Sequence, residues 1–287
     1  MRPGAGSALL HTPHATGPAG VPTRSALLDA TVALVREVAR TEVMPRFLRS
    51  AASRKGDGSL LTEADVSAQQ ALLPSLCALA DCPLMGEEMS PDEQRHAWAT
   101  GQDGLWCVDP LDGTTNFAAG LPFFSISVAL LRQGRPALGV VYDPVRDEAF
   151  HAEAGAGAWL NDSRLPESRR SVPMRHCLAA VETKRLDRAL AARMASTAPF
   201  RSTRSLGSSA LEWAYAAAGR FDLFLHGGQN LWDYAAGWLV LTEAGGCCTA
   251  LEGGDFWQGS DWRRSMVAAL DPSLVDHWHA WLRGDAA

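Results

Sequence analysis

Two aspartates three residues apart, Asp109 and Asp112, follow an apolar run at residues 105–108. The run has the composition of a buried strand, and Pro110, between the two aspartates, has no N–H to donate to a neighbouring strand. We therefore predict that the chain turns there and that both carboxylates converge on one spot. Two such anions repel each other unless a cation lies between them, and oxygen ligands suit a hard divalent ion such as Mg²⁺.

The glycine after Asp112 adds a second chemical feature. Gly113 permits close approach of a ligand to the backbone, and N–H groups at a helix start after it would face an anion. A divalent metal beside an anion-binding turn indicates phosphate chemistry. The residues alone leave open a structural alternative, in which the aspartates only cap backbone N–H groups of a turn.

Acidic residues with the same two interpretations occur elsewhere in the chain. Glu87 ends the short strand in "MGEE", and Asp233 lies at a helix start in "LWDYAAGWLVLTEAGG". Thr62 and Asp65 have the spacing of a capping box, in which the two side chains bind the N–H groups of a helix start. Taken one at a time, Asp233 and Asp65 are explained at least as well by helix capping.

Four motifs in order carry a resemblance that none of them carries alone. The strings "DGSLLTEAD", "GEE", "DPLDGTTNF" and "WDYAAGWLVLTEAGG" resemble the inositol monophosphatase family of metal-dependent phosphatases, and they bracket residues 55–246. The Asp-Pro-x-Asp-Gly-Thr-Thr-Asn-Phe string is specific, and the Trp-Asp-x-Ala-Ala-Gly string is an independent second match. The resemblance implies an α/β fold, a layered αβαβα sandwich, and a lithium-sensitive phosphomonoesterase that uses two to three Mg²⁺ ions per site.

The resemblance also implies a set of metal ligands. One ion would be held by Glu87, Asp109 and the carbonyl oxygen of Leu111. A second would be held by Asp109, Asp112 and Asp233, and a third, weaker ion would lie near Glu87 through water. We expect no phosphoenzyme nucleophile, because the aspartates are occupied as ligands. The sequence also offers no Cys-His or Ser-His-Asp grouping of comparable strength.

Catalytic and substrate-binding roles follow from the same resemblance. Thr114 with Asp65 would polarise the attacking water, and Glu87 would take part through the metal. Gly113 and Thr114 would offer backbone N–H groups to the phosphate. The full set of expected substrate contacts is Asp112, Gly113, Thr114, Ser208, Ser209, His226 and Asp233. Ser208 has a simpler alternative role as the cap of the helix that follows it.

His226 leaves the identity of the substrate open. In inositol-preferring members of the family, the strand before the Trp-Asp motif ends in a glutamate that binds ring hydroxyls, and His226 stands at that position here. A neutral histidine offers one donor and one acceptor, whereas a carboxylate only accepts. The alternative for His226 is a surface histidine at the end of a strand. Lys55 likewise either reaches the site or is solvated in its loop. Histidinol phosphate, a nucleotide 3′-phosphate and fructose bisphosphate therefore stand beside an inositol-like polyol or sugar phosphate as candidate substrates.

The elements that must position these residues divide the chain into two halves. We predict a disordered extension at residues 1–22, an α+β half at 23–170 and an α/β half at 171–287. The first half contains a long amphipathic helix over residues 24–49, bent near Pro45, and an antiparallel meander after the paired aspartates. The second half alternates strands and helices.

Length, charge and cysteine content narrow the class of protein. The 287 residues suffice for a sizeable core, and the net charge of −6 argues against nucleic acid as a partner. No apolar run approaches the roughly 20 residues that span a bilayer, so we expect no membrane association. The six cysteines contain no C-x-x-C pair. We read them as apolar packing residues in a reducing compartment, and we expect a cytoplasmic protein.

Two classes of function are consistent with the sequence. The first is hydrolysis of a small phosphate monoester, by a homodimer if the analogy with the family holds. The second is a non-catalytic binding module, because some members of the family are partners of the transcription machinery. The acidic positions of the motifs are all intact, which favours turnover.

Overall fold

The computed structural model of the protein describes residues 24–49, 52–54, 60–166, 172–257 and 262–285. The predicted extension at residues 1–22 and Lys55 lie outside the described residues. Eight α-helices fall within these ranges: α1 (Ala26–Val38), α2 (Glu63–Leu79), α3 (Pro91–Thr100), α4 (Thr114–Ala119), α5 (Arg188–Thr197), α6 (Ser209–Ala217), α7 (Leu231–Glu243) and α8 (Pro272–Arg283).

The described strands form a hairpin and two larger sheets. Their bounds are β1 (Ala52–Arg54), β2 (Leu60–Thr62), β3 (Leu84–Gly86), β4 (Leu105–Asp112), β5 (Ser125–Arg132), β6 (Arg135–Asp143), β7 (Glu148–Glu153), β8 (Gly157–Leu160), β9 (Ser163–Leu165), β10 (Leu178–Glu182), β11 (Ser202–Arg204), β12 (Leu223–Gln229), β13 (Cys247–Thr249) and β14 (Arg264–Ala269).

The long first helix is interrupted earlier than predicted. Regular α-helix ends at Val38, and a π-helical turn (Ala39–Val43) and a 3₁₀ turn (Met44–Arg46) follow it. Pro45 explains the distortion, because its ring lacks an N–H and clashes with the carbonyl four residues earlier, at Thr41. The bend therefore begins in the turn before the proline.

The two large sheets follow each other along the chain. The seven-stranded sheet runs in the order β3-β4-β5-β6-β7-β8-β9, and every pair is antiparallel except β3 with β4. This arrangement confirms the predicted meander. The five-stranded sheet has the order β11-β10-β12-β14-β13, and β10 lies parallel to both β11 and β12.

Helices and sheets alternate in five layers. The helices α1 and α2 cover the outer face of the large sheet, α6 and α7 lie between the two sheets, and α5 and α8 cover the outer face of the small sheet. The predicted αβαβα sandwich is confirmed. The division into halves at 170/171 stays a prediction, because α6 and α7 pack into one apolar core with strands of both sheets.

The state of the cysteines and the hydrophobicity of the helices bear on the environment of the protein. All six cysteines are free thiols, and Cys107 and Cys177 are buried in the core. Among the described residues, none of the helices combines the length and the hydrophobicity that crossing a membrane requires.

Close packing of α7 requires glycine at two positions. A Cβ on Gly139 of β6 would lie 2.9 Å from both the Cα and the carbonyl oxygen of Ala236 in α7. A Cβ on Gly237 of α7 would meet the side chain of Trp213 in α6. Because α7 lies directly on the backbone of β6, the position of its first turn is fixed relative to the large sheet.

Gly139→Ala is expected to lower the free energy of unfolding by about 1–3 kcal/mol, because the added methyl group meets backbone atoms that cannot rotate away. Urea unfolding would report the loss as a lower midpoint at an unchanged slope. Addition of Ala236→Gly should not restore the midpoint, since Gly139 faces backbone and not the Ala236 methyl. A midpoint equal to that of the wild type would contradict the contact.

Candidate active site

A β-bulge brings Asp109 and Asp112 to one face of β4. Asp109 lies opposite Ser127 of β5 and Asp112 opposite Ser125, so the two residues between the aspartates are matched by a single residue of β5. Side chains alternate along a regular strand, and one inserted residue turns the second aspartate to the face of the first. The predicted convergence is therefore present, but the predicted turn is wrong: β4 continues through Pro110 to Asp112, and the bulge accommodates the missing N–H.

Each of the two carboxylates is oriented by hydrogen bonds to one oxygen. The Leu111 N–H donates to Asp109 Oδ1 at 3.0 Å. The Ser208 hydroxyl and the Ala210 N–H donate to Asp112 Oδ2 at 2.6 and 2.8 Å. These donors fix the direction in which each side chain points, and they are neutral, so they leave the charge of the carboxylates in place.

Asp233 reaches the same place from the start of α7. It is the third residue of the helix, and its Oδ2 accepts the N–H of the cap residue Asn230 at 2.8 Å. The Ser127 hydroxyl donates to the carbonyl oxygen of Trp232 at 3.0 Å, which ties this helix start to β5. Asp109, Asp112 and Asp233, named here the acidic trio, have carboxylate oxygens within 4.8 Å of one another.

The electrostatics of the acidic trio fit a divalent cation. Burial, and then repulsion from neighbouring carboxylates, raise the pKa of Asp109 and Asp233 well above the ordinary aspartate value. Burial raises the pKa of Asp112 to about 6, although the Ser208 hydroxyl and backbone N–H groups oppose the shift. Buried carboxylates with raised pKa values are stabilised by a positive charge placed between them, and an all-oxygen donor set matches the preference of Mg²⁺.

Glu87 and Leu111 lie on the cavity beside the acidic trio. Glu87 is outside the group whose oxygens lie within 4.8 Å, but it lines the same cavity, and its charge raises the pKa of Asp109. The Glu87 N–H donates to the carbonyl oxygen of Val108 at 3.2 Å, which holds the turn after β3 against β4. Leu111 lines the cavity with the residues of the bulge.

Asp65 serves as a helix cap and also contacts the motif of β4. Its Oδ2 accepts the N–H and the hydroxyl of Thr62 at 2.7 and 2.6 Å, as the predicted capping box requires. Its Oδ1 lies 3.0 Å from the Thr114 hydroxyl, which is also 3.0 Å from the carbonyl oxygen of Leu111. Burial raises the pKa of Asp65, while these hydrogen bonds oppose the shift. The two interpretations of Asp65 are therefore compatible with each other.

Gly113 makes the turn between β4 and α4. Its φ of 95° lies in the left-handed region that favours glycine, and a Cβ there would be 3.2 Å from the Phe123 carbonyl oxygen and the Ser208 Cβ. The helix that follows begins at Thr114, as the sequence predicts.

The two serines at the start of α6 have different positions. Ser208 is fully buried behind Asp112, and its hydroxyl makes no capping bond to α6. Ser209 lines the cavity, and its hydroxyl donates to Gln229 Oε1 at 2.8 Å. The same oxygen accepts the indole N–H of Trp213 at 2.7 Å. Because the Ser209 hydroxyl donates its hydrogen bond to Gln229, the serine oxygen is left to accept one.

His226 is buried in the cavity wall and is not a surface residue. Its Nδ1 accepts the Gly228 N–H at 3.1 Å, so the neutral ring carries its proton on Nε2. Burial, followed by the charges of Arg185, Lys184 and Arg263, lowers the pKa of His226 to about 3. The ring is therefore neutral across the physiological range, and it does not titrate near pH 6.5 as an exposed histidine would.

The cavity has a volume of about 400 Å³ and includes residues that the motifs did not identify. Glu182 is the register partner of His226, because β10 and β12 are parallel neighbours. Two parallel strands end at the same edge of a sheet, and this rule would have placed "CLAAVE" and "FDLFLH" together. Glu212 also lines the cavity; it accepts the Leu206 N–H at 2.8 Å, and burial raises its pKa to about 8.

Comparison with known proteins identifies relatives over almost the whole chain. The model of the inositol monophosphatase family matches residues 24–282. An inositol-1-monophosphatase of Mesorhizobium japonicum is 37% identical over 240 residues, which are 80% of this chain and 88% of the relative. The Nus factor SuhB of Escherichia coli is 37% identical over 224 residues, 71% of this chain and 76% of that protein. The solved structure of a Thermotoga maritima IMPase aligns with a TM-score of 0.77 and 30% identity, covering 90% of this chain and 97% of the other.

Divalent metal is expected to stabilise the protein more at about pH 8 than at about pH 5. Asp112 has a pKa of about 6 in the metal-free fold and 3.8 as its ordinary value, so protonation stabilises the fold below pH 4 and this contribution is lost as the pH rises through 6. At the higher pH Asp112 is ionised, so the acidic trio carries more negative charge than at the lower pH and a cation has more repulsion to offset.

Thermal unfolding with and without Mg²⁺ at both pH values measures this difference. Asp112→Asn should reduce the Mg²⁺-induced shift in Tm at the higher pH, because the variant lacks one ligand charge. Equal Tm shifts at the two pH values in the wild type would show that the acidic trio is not the site of metal binding.

Proposed function

The chain belongs to the inositol monophosphatase family, and we propose that it hydrolyses an inositol-phosphate-like polyol or sugar phosphate with Mg²⁺ bound at the acidic trio. Relatives that are 37–38% identical over 80% of the chain support a metal-dependent phosphoric monoester hydrolase. The identity and number of the ions, lithium sensitivity, a homodimer and a cytoplasmic location belong to the proposal. The observation that carries it is the set of three carboxylates within 4.8 Å of one another, opening on a cavity.

We assign the metal ligands to the residues that the motifs predict. Asp109, Asp112 and Asp233 would hold Mg²⁺ with the Leu111 carbonyl oxygen, and Glu87 would contribute from the neighbouring wall of the cavity. A bound ion would lower the pKa of a water molecule and offset the negative charge of the phosphate. What the protein supplies is a rigid arrangement of anions, held by the bulge of β4 and the first turn of α7.

Thr114 and Asp65 are suited to orient the attacking water. A threonine hydroxyl has one proton, and Asp65 Oδ1 and the Leu111 carbonyl oxygen both lie 3.0 Å away. When that carbonyl serves as a ligand, the proton is donated to Asp65, and the lone pairs of Thr114 are left to accept from water. Asp65 is itself held by Thr62, so the direction of the hydroxyl is fixed before the substrate binds.

Recognition of the phosphate and of the alcohol falls to different parts of the cavity. Gly113 and Thr114 would offer backbone N–H groups to the phosphate, where the left-handed turn begins α4. Ser209 would accept a hydrogen bond from a substrate hydroxyl, because its own O–H already donates to Gln229. Ser208 would act through Asp112, and His226 would donate from Nε2. A donor at this position suits an alcohol with acceptor groups, so histidinol phosphate, a nucleotide 3′-phosphate and fructose bisphosphate stay among the alternatives.

A second candidate function is partnership with the transcription machinery. Its support is the similarity to proteins named Nus factor SuhB in Escherichia coli and Pasteurella multocida, at 37% and 36% identity. The two functions are separable, because a binding partner does not need the metal ligands. A protein that releases no phosphate from any ester at millimolar Mg²⁺ would favour the second function.

Asp112→Asn is expected to lower kcat by at least about a hundredfold, because even residues that only support a metal ligand change activity by 10- to 100-fold. Phosphate release from inositol 1-phosphate, measured with Mg²⁺ and again after chelation, tests the same requirement in the wild type. Asp103→Asn is the matched control, since Asp103 is exposed and lies outside the cavity. Activity that survives chelation, or a folded Asp112→Asn protein with nearly wild-type kcat, would refute the metal assignment.

His226→Glu is expected to raise kcat/KM for inositol 1-phosphate relative to glycerol phosphate by about ten- to a hundredfold. The introduced carboxylate would accept hydrogen bonds from ring hydroxyls, and such a charged acceptor contributes about 1.5–3 kcal/mol. His226→Ala is the control that removes the ring and adds no charge. If both variants keep the wild-type ratio between the two esters, the selectivity lies with Ser209, Gln229 or another contact.

A further inference from the structure

Three cationic residues line the cavity on the side of His226. Lys184 and Arg185 follow β10, and Arg263 precedes β14. The charge of Arg185 influences the pKa values of both His226 and Asp233, so this arginine lies within electrostatic range of both. We name Lys184, Arg185 and Arg263 the cationic wall, because together they face the cavity from the side of the small sheet.

The two glycines after His226 allow the cationic wall to lie against β12. A Cβ on Gly227 would collide with the carbonyl oxygen of Arg185, so the turn after β10 passes directly over this residue. A Cβ on Gly228 would lie 2.7 Å from Arg263 Nε. The sequence "HGGQ" therefore allows the backbone of Arg185 and the side chain of Arg263 to pack against adjacent residues of β12.

The positive charge of this wall is only partly balanced by nearby acids. Glu182 is buried beside it, accepts the Ser205 hydroxyl and the Lys184 N–H at 3.2 Å each, and lies 3.7 Å from Lys184 Nζ. Glu212, with a pKa of about 8, is largely uncharged at neutral pH, and His226 is neutral. Among the described residues, three cationic side chains thus share this wall with the carboxylate of Glu182.

We propose that the substrate carries a second anionic group, a phosphate or a carboxylate, which binds to Lys184, Arg185 and Arg263 while the first phosphate is hydrolysed beside the acidic trio. The proposal rests on the proposed function and specifies its substrate class. A polyol phosphate has no anionic group besides the phosphate that is hydrolysed, so it would bring no anion to the three cations. Guanidinium groups are suited to carboxylate and phosphate because their N–H groups bind two oxygens at once. The cavity of about 400 Å³ is within the range of sites for small organic ligands.

Three esters of one sugar test the proposal without changing the leaving group. Glucose 1-phosphate has a neutral hydroxyl at C6, glucuronic acid 1-phosphate has a carboxylate there, and glucose 1,6-bisphosphate has a phosphate. In each ester, the bond between phosphorus and the C1 oxygen breaks, the sugar leaves with a hydroxyl at C1, and water supplies the new oxygen on phosphorus. Product analysis must therefore show that the phosphate released came from C1. We expect kcat/KM for at least one of the two charged esters to exceed that of glucose 1-phosphate by ten- to a hundredfold. The charged ester that gains more identifies the second group as carboxylate or phosphate.

Variants assign the gain to the cationic wall. In the double variant Arg185→Ala/Arg263→Ala, kcat/KM for the charged ester should exceed that for the neutral ester by no more than about threefold. Arg188→Ala is the matched control, because Arg188 is an exposed arginine of α5 outside the cavity, and it should keep the wild-type ratio. Added salt should shrink the ratio in the wild type, since exposed charges are screened.

The outcomes separate this inference from the proposed function. If glucose 1-phosphate is hydrolysed as efficiently as both charged esters, or if the double variant keeps the wild-type preference, the second anionic group is refuted and Mg²⁺-dependent hydrolysis stands. The same conclusion follows if inositol 1-phosphate is hydrolysed and none of the three glucose esters is. If no ester releases phosphate with Mg²⁺, including inositol 1-phosphate and glycerol phosphate, the proposed function fails and this inference fails with it.

Discussion

Mutual repulsion among three carboxylates is the interaction that the rest of the structure must accommodate. Asp109, Asp112 and Asp233 hold their oxygens within 4.8 Å of one another in a largely buried position, which free side chains would avoid. The fold resists this repulsion with directed neutral donors: the Leu111 N–H, the Ser208 hydroxyl and two N–H groups at helix starts. The fold therefore holds the anions in place without cancelling their charge, which leaves the charge for a metal.

The layers of the sandwich explain how distant segments meet at this point. The bulge of β4 and the first turn of α7 are joined by the hydrogen bond from Ser127 to the Trp232 carbonyl, and the glycine contact between β6 and α7 sets the depth of the helix. The small sheet contributes the opposite side of the cavity through the ends of β10 and β12. The cavity thus has one wall of anions and one of cations.

Much of this arrangement could be predicted from the sequence, for identifiable reasons. The capping box of Thr62 and Asp65 and the strand before Asp109 are local features, and local patterns are readable in a single sequence. The β-bulge could not be predicted, because Pro110 is equally compatible with a turn and the choice depends on the register with β5. Arg263 could not be found either, since it reaches the cavity only through the pairing of β14 with β12. Glu182 could be predicted, because β10 and β12 are parallel strands that end at the same edge of the sheet, which places Glu182 beside His226.

The double role of two acidic residues has a consequence for how such a protein can diverge. Asp65 and Asp233 each accept the N–H of a helix cap. Asp233 also lines the cavity, and Asp65 contacts the hydroxyl of Thr114, which lines it, so an apolar replacement of either aspartate would disturb a helix start together with the site. Asparagine keeps an oxygen for the cap and removes the charge. In the acidic trio it also relieves repulsion, so the loss of catalysis and a gain in stability would arrive in the same mutation. A lineage that came to use this fold only for its surface would therefore have a short route: the exchange of single oxygens for nitrogens, with every helix and strand left in place.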